Sequence, residues 1–115
     1  MKLIIAVIQP TKLETVVEAL AALGVTRLTV ADAMGYARQR GHSESHRGRE
    51  YETHLLRKVE LEIAVNDDFV EPTLRCLEEY ARTSRSGHIG DGKAMVLPMV
   101  EAYQISDGLI GPSAL

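Results

Sequence analysis

The hydrophobic period of this chain switches repeatedly between two residues and 3.6, and the order of the switches is what most limits its fold. Leu3 to Ile8 is an unbroken apolar run ended by Pro10, the pattern of a central strand buried on both faces. Thr11 and Glu14 stand at capping-box spacing. Leu13, Val16, Val17 and Leu20 then recur at helical spacing, and Gly24 follows as a terminator, so a helix is expected over about 12–23. Arg27 to Gly35 reads as a second strand that weakens at Asp32. Lys58 to Val65 alternates cleanly, with Val59, Leu61, Ile63 and Val65 on one face. Asn66, Asp67 and Asp68 supply a turn and cap. Val70, Leu74, Leu77 and Ala81 mark a second amphipathic helix with Pro72 in its first turn. Ala94 to Ile105 is again extended, with Pro98 marking an edge or bulge, and an irregular tail is expected over 107–115.

Strand, helix, strand, strand, helix, strand is the split βαβ order. It predicts an α+β, ferredoxin-like βαββαβ sandwich: four antiparallel strands with both helices on one face. With 115 residues there is room for one domain, 1–115, and only a modest core. The uncovered sheet face therefore calls for a second subunit, and a closed cyclic oligomer is expected. Thirteen Lys and Arg against sixteen Asp and Glu, with aromatics at 4%, argue against direct nucleic-acid binding. The N-terminal apolar run is too short to insert in a membrane. Cys76 stands alone, which suits a reducing, cytoplasmic setting and a small buried hydrophobe.

Two segments carry chemistry. Thr83 to Lys93 is polar and glycine-rich. Within it Gly87, Gly90 and Gly92 let backbone N–H groups approach an anion, and Lys93 adds a cation. Asp91 accepts but cannot donate when ionised, so it is expected to shape the turn or touch a bound cation. His88 could meet phosphate as imidazolium. A plain surface turn accounts for the same residues. The second segment, about 36–57, is low in apolar residues and keeps neither period; it reads as an exposed loop or extended hairpin tip. Arg38, Gln39 and Arg40 start it and Lys58 closes it, so Gln39 and Lys58 meet if the flanking strands pair. His42, His46 and His54 form no closed metal set, and Tyr51 is a phenol among charges. A solvated insertion is the plain alternative. No nucleophile and base are spaced for catalysis, so an enzyme is not expected.

Gly41-His42 with Arg47-Gly48-Arg49-Glu50-Tyr51, and Gly90-Asp91-Gly92-Lys93, resemble the docking loop and phosphate loop of the PII nitrogen-regulatory signalling family. The likeness runs from Met1 to about Ser106. It implies a homotrimer with adenine nucleotide, ATP or ADP, in clefts between subunits. By that resemblance Gly35, Arg38, Gln39, Gly90, Gly92 and Lys93 line the cleft, beside His88 and Asp91. Val7, Thr29, Glu62 and Ala64 lie near base or ribose. The resemblance also implies Mg2+ and 2-oxoglutarate at Gln39 and Lys58, and nucleotidylation at Tyr51. The loop's implied partner is a nitrogen-metabolism protein, such as an ammonium transporter or nucleotidylyltransferase. The chain departs from the family pattern at Gln104 and Ser106, where arginines usually stand, and at Ala37, His88, Ala94 and Met95. Arg82 and Arg85 are nearby substitutes for the missing charge. Loss of two guanidinium groups weakens triphosphate binding. It leaves two alternatives open: a divergent sensor of ADP, AMP or another anion without a 2-oxoglutarate response, and an interaction-only trimer.

Overall fold

A computed structural model describes residues 1–40 and 51–115, and side chains within that span except at 37–40 and 51–54. The order is β1 (Lys2–Ile8), α1 (Leu13–Ala22), β2 (Thr29–Arg40), β3 (Tyr51–Val65), α2 (Val70–Ala81) and β4 (Gly92–Pro98). The strands form one sheet in the order β2-β3-β1-β4, antiparallel at every contact. This is the ferredoxin-like βαββαβ arrangement the sequence order predicts.

Alternation decides which residues meet the helices. Ile4, Ala6 and Ile8 of β1 pair with Ile63, Leu61 and Val59 of β3, and all six are buried. Val16 and Leu20 of α1 and Cys76, Leu77 and Ala81 of α2 close the core over them. Burial pushes the Cys76 thiol up, with the Glu79 carboxylate adding to the shift. Gly24, at φ 94°, ends α1: its N–H and that of Val25 donate to the carbonyls of Ala21 and Leu20.

The helix entries differ from the expected caps. Pro10–Lys12 forms a 3-10 turn closed by Lys12 N–H on the Gln9 carbonyl. Thr11 therefore lies inside a helical turn rather than flanking one, and no side chain caps α1. Asp67–Phe69 makes a similar turn before α2. The Asp67 carboxylate is drawn instead to the chain's first ammonium, at 2.9 Å, and to Lys2, at 3.2 Å. Those hydrogen bonds hold its pKa below the usual value.

Two strand boundaries move outward. Residues 36–40 and 51–57, assigned to the long loop, extend β2 and β3 into a two-stranded ribbon that pairs as far as Arg40 with Tyr51. Asp32 lies within this ladder opposite Val59, with its carboxylate 3.8 Å from Arg57. The ribbon passes beyond the helices, so Met34, Tyr36 and Leu55 stay more than half exposed. Residues 41–50, including His42 and His46, lie outside the described residues.

The last strand is shorter than expected and ends at Pro98. The segment expected to be an irregular tail turns back, with a bridge between Tyr103 and Ile110 and a 3-10 turn at Pro112–Ala114. β1 is not buried on both faces in the single chain. Leu3, Ile5 and Val7 are half-buried because the sheet face they share is bare.

Candidate functional site

Strand alternation sorts the expected site residues before any side chain is considered. Val7, Thr29, Gly35, Lys58, Glu62, Ala64 and Lys93 all belong to the sheet face turned away from the helices. Val7 pairs with Lys93 on one side and Glu60 on the other. Thr29 pairs with Glu62, which pairs with Ile5; Ala64 pairs with Leu3. The rows of Val7 and Leu3 are four residues apart, about 13 Å at ~3.3 Å per residue. One chain thus presents two groups: Gly35, Lys58, Val7 and Lys93 at the ribbon end, and Thr29, Glu62 and Ala64 toward the other.

At the ribbon end the glycine turn meets the base of the long arm. Lys58, almost wholly buried, donates from Nζ to the Gly90 carbonyl at 2.7 Å. Gln9 donates from Nε2 to the same oxygen at 2.9 Å. Gly35 packs closely here: a Cβ would sit 3.1 Å from Lys58 Cγ, so the lysine stem would have to shift by a few tenths of an ångström to admit one. Gly92 opens β4 so close to β1 that a Cβ would sit 2.0 Å from the Val7 carbonyl oxygen.

The turn between these anchors is shaped by Asp91. One carboxylate oxygen accepts from the Thr83 hydroxyl at 2.6 Å and the other from the His88 N–H at 2.7 Å. The Thr83 hydroxyl, then the His88 N–H, hold the Asp91 pKa below its usual value. His88 Nδ1 lies 3.1 Å from both Thr83 Oγ1 and Ser84 Oγ. Because the Thr83 proton is spent on Asp91, Nδ1 can bond Thr83 only by donating. Among the described residues the N–H groups of Ile89 and Gly90 find no acceptor. Gly90, at φ 101°, adopts the left-handed backbone typical of anion nests. The turn therefore offers adjacent backbone donors with Lys93 one strand position beyond.

Other expected contributors are placed elsewhere. The Arg82 guanidinium bonds Glu78 at 2.8 Å and the Arg85 carbonyl at 3.1 Å, so it braces its own loop. Gln104 Nε2 donates to Asp107 at 3.1 Å, building the tail turn rather than the cleft. The backbone sets Arg38 opposite Thr53 and Gln39 opposite Glu52, and Tyr51 at the start of β3; their side chains lie outside the described residues. No group of three His, Cys, Asp or Glu converges among the described residues. A groove of about 560 Å³ opens on the other, helix-bearing face, lined by Ala6, Ile8, Leu77, Ala81, His88 and Ala94. Ile89, Asp91, Gly92 and Lys93 of the turn also line it, but Val7, Thr29, Glu62 and Ala64 do not. Gln9 was missed in the sequence, where a polar residue before Pro10 looks like ordinary strand-end punctuation.

The family model for "Nitrogen regulatory protein P-II" matches residues 1–108. The chain belongs to the P-II family. P-II proteins are regulators rather than catalysts, so the role of this chain is signal transduction of the nitrogen-regulatory kind. It is 42% identical to the P-II relative "Nitrogen regulatory protein GlnK1" of Methanosarcina mazei over 115 residues, all of this chain and 97% of that one. To "Nitrogen regulatory protein P-II" of Klebsiella oxytoca it is 44% identical over 108 residues, 94% of each. The fold matches the solved GlnK–ATP complex of B. subtilis with a TM-score of 0.84 and 29% identity, covering 99% of this chain and 96% of that one. Among the described residues no helix is long and apolar enough to cross a membrane.

Proposed function

We propose that this P-II protein senses adenine nucleotide, ATP or ADP, and passes the signal to a nitrogen-metabolism partner through the β2–β3 ribbon. The observation that carries the reading is the junction at Gly90, where the glycine turn and the base of the ribbon share one carbonyl. The phosphates dock on the Ile89 and Gly90 N–H groups and on Lys93, as anions do on backbone nests. His88 and Asp91 shape that end. The relative solved with ATP supports the choice of nucleotide.

The bare sheet face supports the homotrimer. That face leaves room for a neighbouring copy to supply Thr29, Glu62 and Ala64 around base and ribose, while Val7, paired with Lys93, stays in the same copy as the phosphate turn. Gly35, Arg38 and Gln39 close the cleft at the ribbon. Mg2+ and 2-oxoglutarate bind at Gln39 and Lys58, where two N–H donors of the Lys58 ammonium remain after its bond to Gly90. Ligand occupancy selects one arrangement of the arm, and with it the partner, an ammonium transporter or a nucleotidylyltransferase acting at Tyr51. A second reading rests on Gln104 and Arg82. Neither presents a free cation to the site, which favours ADP or AMP over ATP without a 2-oxoglutarate response.

Calorimetry with ATP, ADP and AMP, each with and without Mg2+ and 2-oxoglutarate, separates the two. 2-Oxoglutarate binding that requires Mg-ATP supports the first; ADP or AMP binding indifferent to 2-oxoglutarate supports the second. No binding at millimolar nucleotide overturns both and leaves a docking protein. Lys93→Ala is expected to weaken nucleotide binding about tenfold, the loss of one charge-assisted contact, with the oligomer intact. Unchanged affinity would mean that the phosphates sit elsewhere.

A further inference from the structure

Three separated parts of the chain converge on one atom. The Gly90 carbonyl oxygen takes Nε2 of Gln9 at 2.9 Å and Nζ of Lys58 at 2.7 Å, which uses both of its lone pairs. We propose that Gln9 is a positioning residue of the nucleotide site: it holds the Gly90 carbonyl inward and so turns the neighbouring N–H donors toward the ligand. This rests on the nucleotide-sensing reading above and deepens it.

Gln9 is suited to the task because its own backbone is fixed. It follows the last residue of β1 and precedes Pro10, which confines it to extended geometry, and it has φ −66° and ψ 137°. Its carbonyl is held by the Lys12 N–H at 3.0 Å. The amide thus projects from a stiff base. Lys58, by contrast, reaches Gly90 on a four-carbon stem and carries a charge that any nearby anion competes for. A neutral amide is indifferent to that competition. With Gln9 in place, Lys58 can reorient toward an anion while the turn keeps its shape. The other restraints on the turn act around that oxygen rather than on it: the Thr83–Asp91 bond draws the turn's two ends together, the Asp91 N–H donates to the His88 carbonyl at 3.1 Å, and Gly92 is pinned against Val7. Gln9 and Lys58 alone tie the carbonyl of the tip among the described residues.

The test is a pair of measurements on the full-length protein, wild type and Gln9→Leu, a substitution that removes the donor without adding charge. Amide hydrogen exchange of the peptide spanning 86–93, without ligand, is expected to quicken in Gln9→Leu while β1 and α2 are unchanged. ATP affinity by calorimetry is expected to fall about three- to tenfold. In a cycle with Lys58→Met, the double variant is expected to lose more than the product of the single losses, since each donor partly compensates for the loss of the other. Unchanged exchange in 86–93, ATP affinity within twofold of wild type, or strictly multiplicative losses would each overturn the assignment. If the wild type binds no adenine nucleotide, the sensing reading fails instead, and the exchange measurement alone decides whether Gln9 holds the turn.

Discussion

Gly92 shows how a single residue fixes the geometry of the turn. Its φ is 129°, and a Cβ there would lie 2.0 Å from the Val7 carbonyl oxygen. Gly90 also has positive φ, but its Cβ would find nothing nearer than Gln9 Nε2 at 3.9 Å. Gly92→Ala must therefore break the start of the β1–β4 ladder and is expected to cost at least ~2 kcal/mol. Gly90→Ala carries only the backbone penalty, about 1 kcal/mol. Urea midpoints at fixed protein concentration check the order; equal losses would contradict it. Asp91 makes the second residue-scale prediction. Thr83 and the His88 N–H hold its folded pKa below the ordinary 3.8. Its contribution is then fully present above that value and is lost as pH falls through the lowered folded value. The His88 amide resonance is expected to shift with a midpoint below 3.8, and Asp91→Asn to abolish the shift. A midpoint at or above 3.8 would show that the carboxylate is not holding the turn. The role of Asp91 as a shaper of the turn was legible in the sequence from donor and acceptor chemistry alone. The part played by Gln9 was not, because a contact 81 residues away in sequence leaves no local trace.

At the scale of elements, the strands and helices that build the core were legible because each buries one face and so carries a period. Val59, Leu61, Ile63 and Val65 are the clearest instance: the alternation in the sequence is the burial pattern of β3. The ribbon was not legible for the same reason. Among the described residues from Met34 outward none joins the core under the helices, so no apolar pattern was required there, and Tyr36, Leu55 and Arg57 read as loop residues. Its order comes chiefly from the β2–β3 backbone ladder among the described residues. Two strands without a third are marginal in water. The amides of Ala33–Tyr36 are therefore expected to exchange faster by at least tenfold than those of Ile4–Ile8, which lie between two neighbours. Equal protection would mean that something beyond the ladder supports the ribbon. The helix entries illustrate a different failure. Thr11 and Glu14 have the capping-box spacing, yet Pro10 begins a 3-10 turn ahead of them and removes the flanking position a cap needs.

For the molecule as a whole, the decisive feature is a sheet with one covered face. Leu3, Ile5 and Val7 lie on the other, flanked by Met95 and Leu97, which stay 43% and 40% exposed. That face carries the expected site residues in two groups, one at the ribbon end and one toward the opposite end of the sheet. The sequence indicated that this face needs a cover, and the family resemblance supplied the residues expected on it. It could not show the separation, which depends on register. The helix-side groove of about 560 Å³ is the competing location, opened where Ala6, Ala81 and Ala94 leave space. A crystal structure of the protein grown with ATP or ADP decides between them most directly. The phosphates are predicted on the Ile89 and Gly90 N–H groups and Lys93 of one copy, with the base against Thr29, Glu62 and Ala64 of the next. Nucleotide seated in the helix-side groove, or held wholly within one copy, would contradict the account.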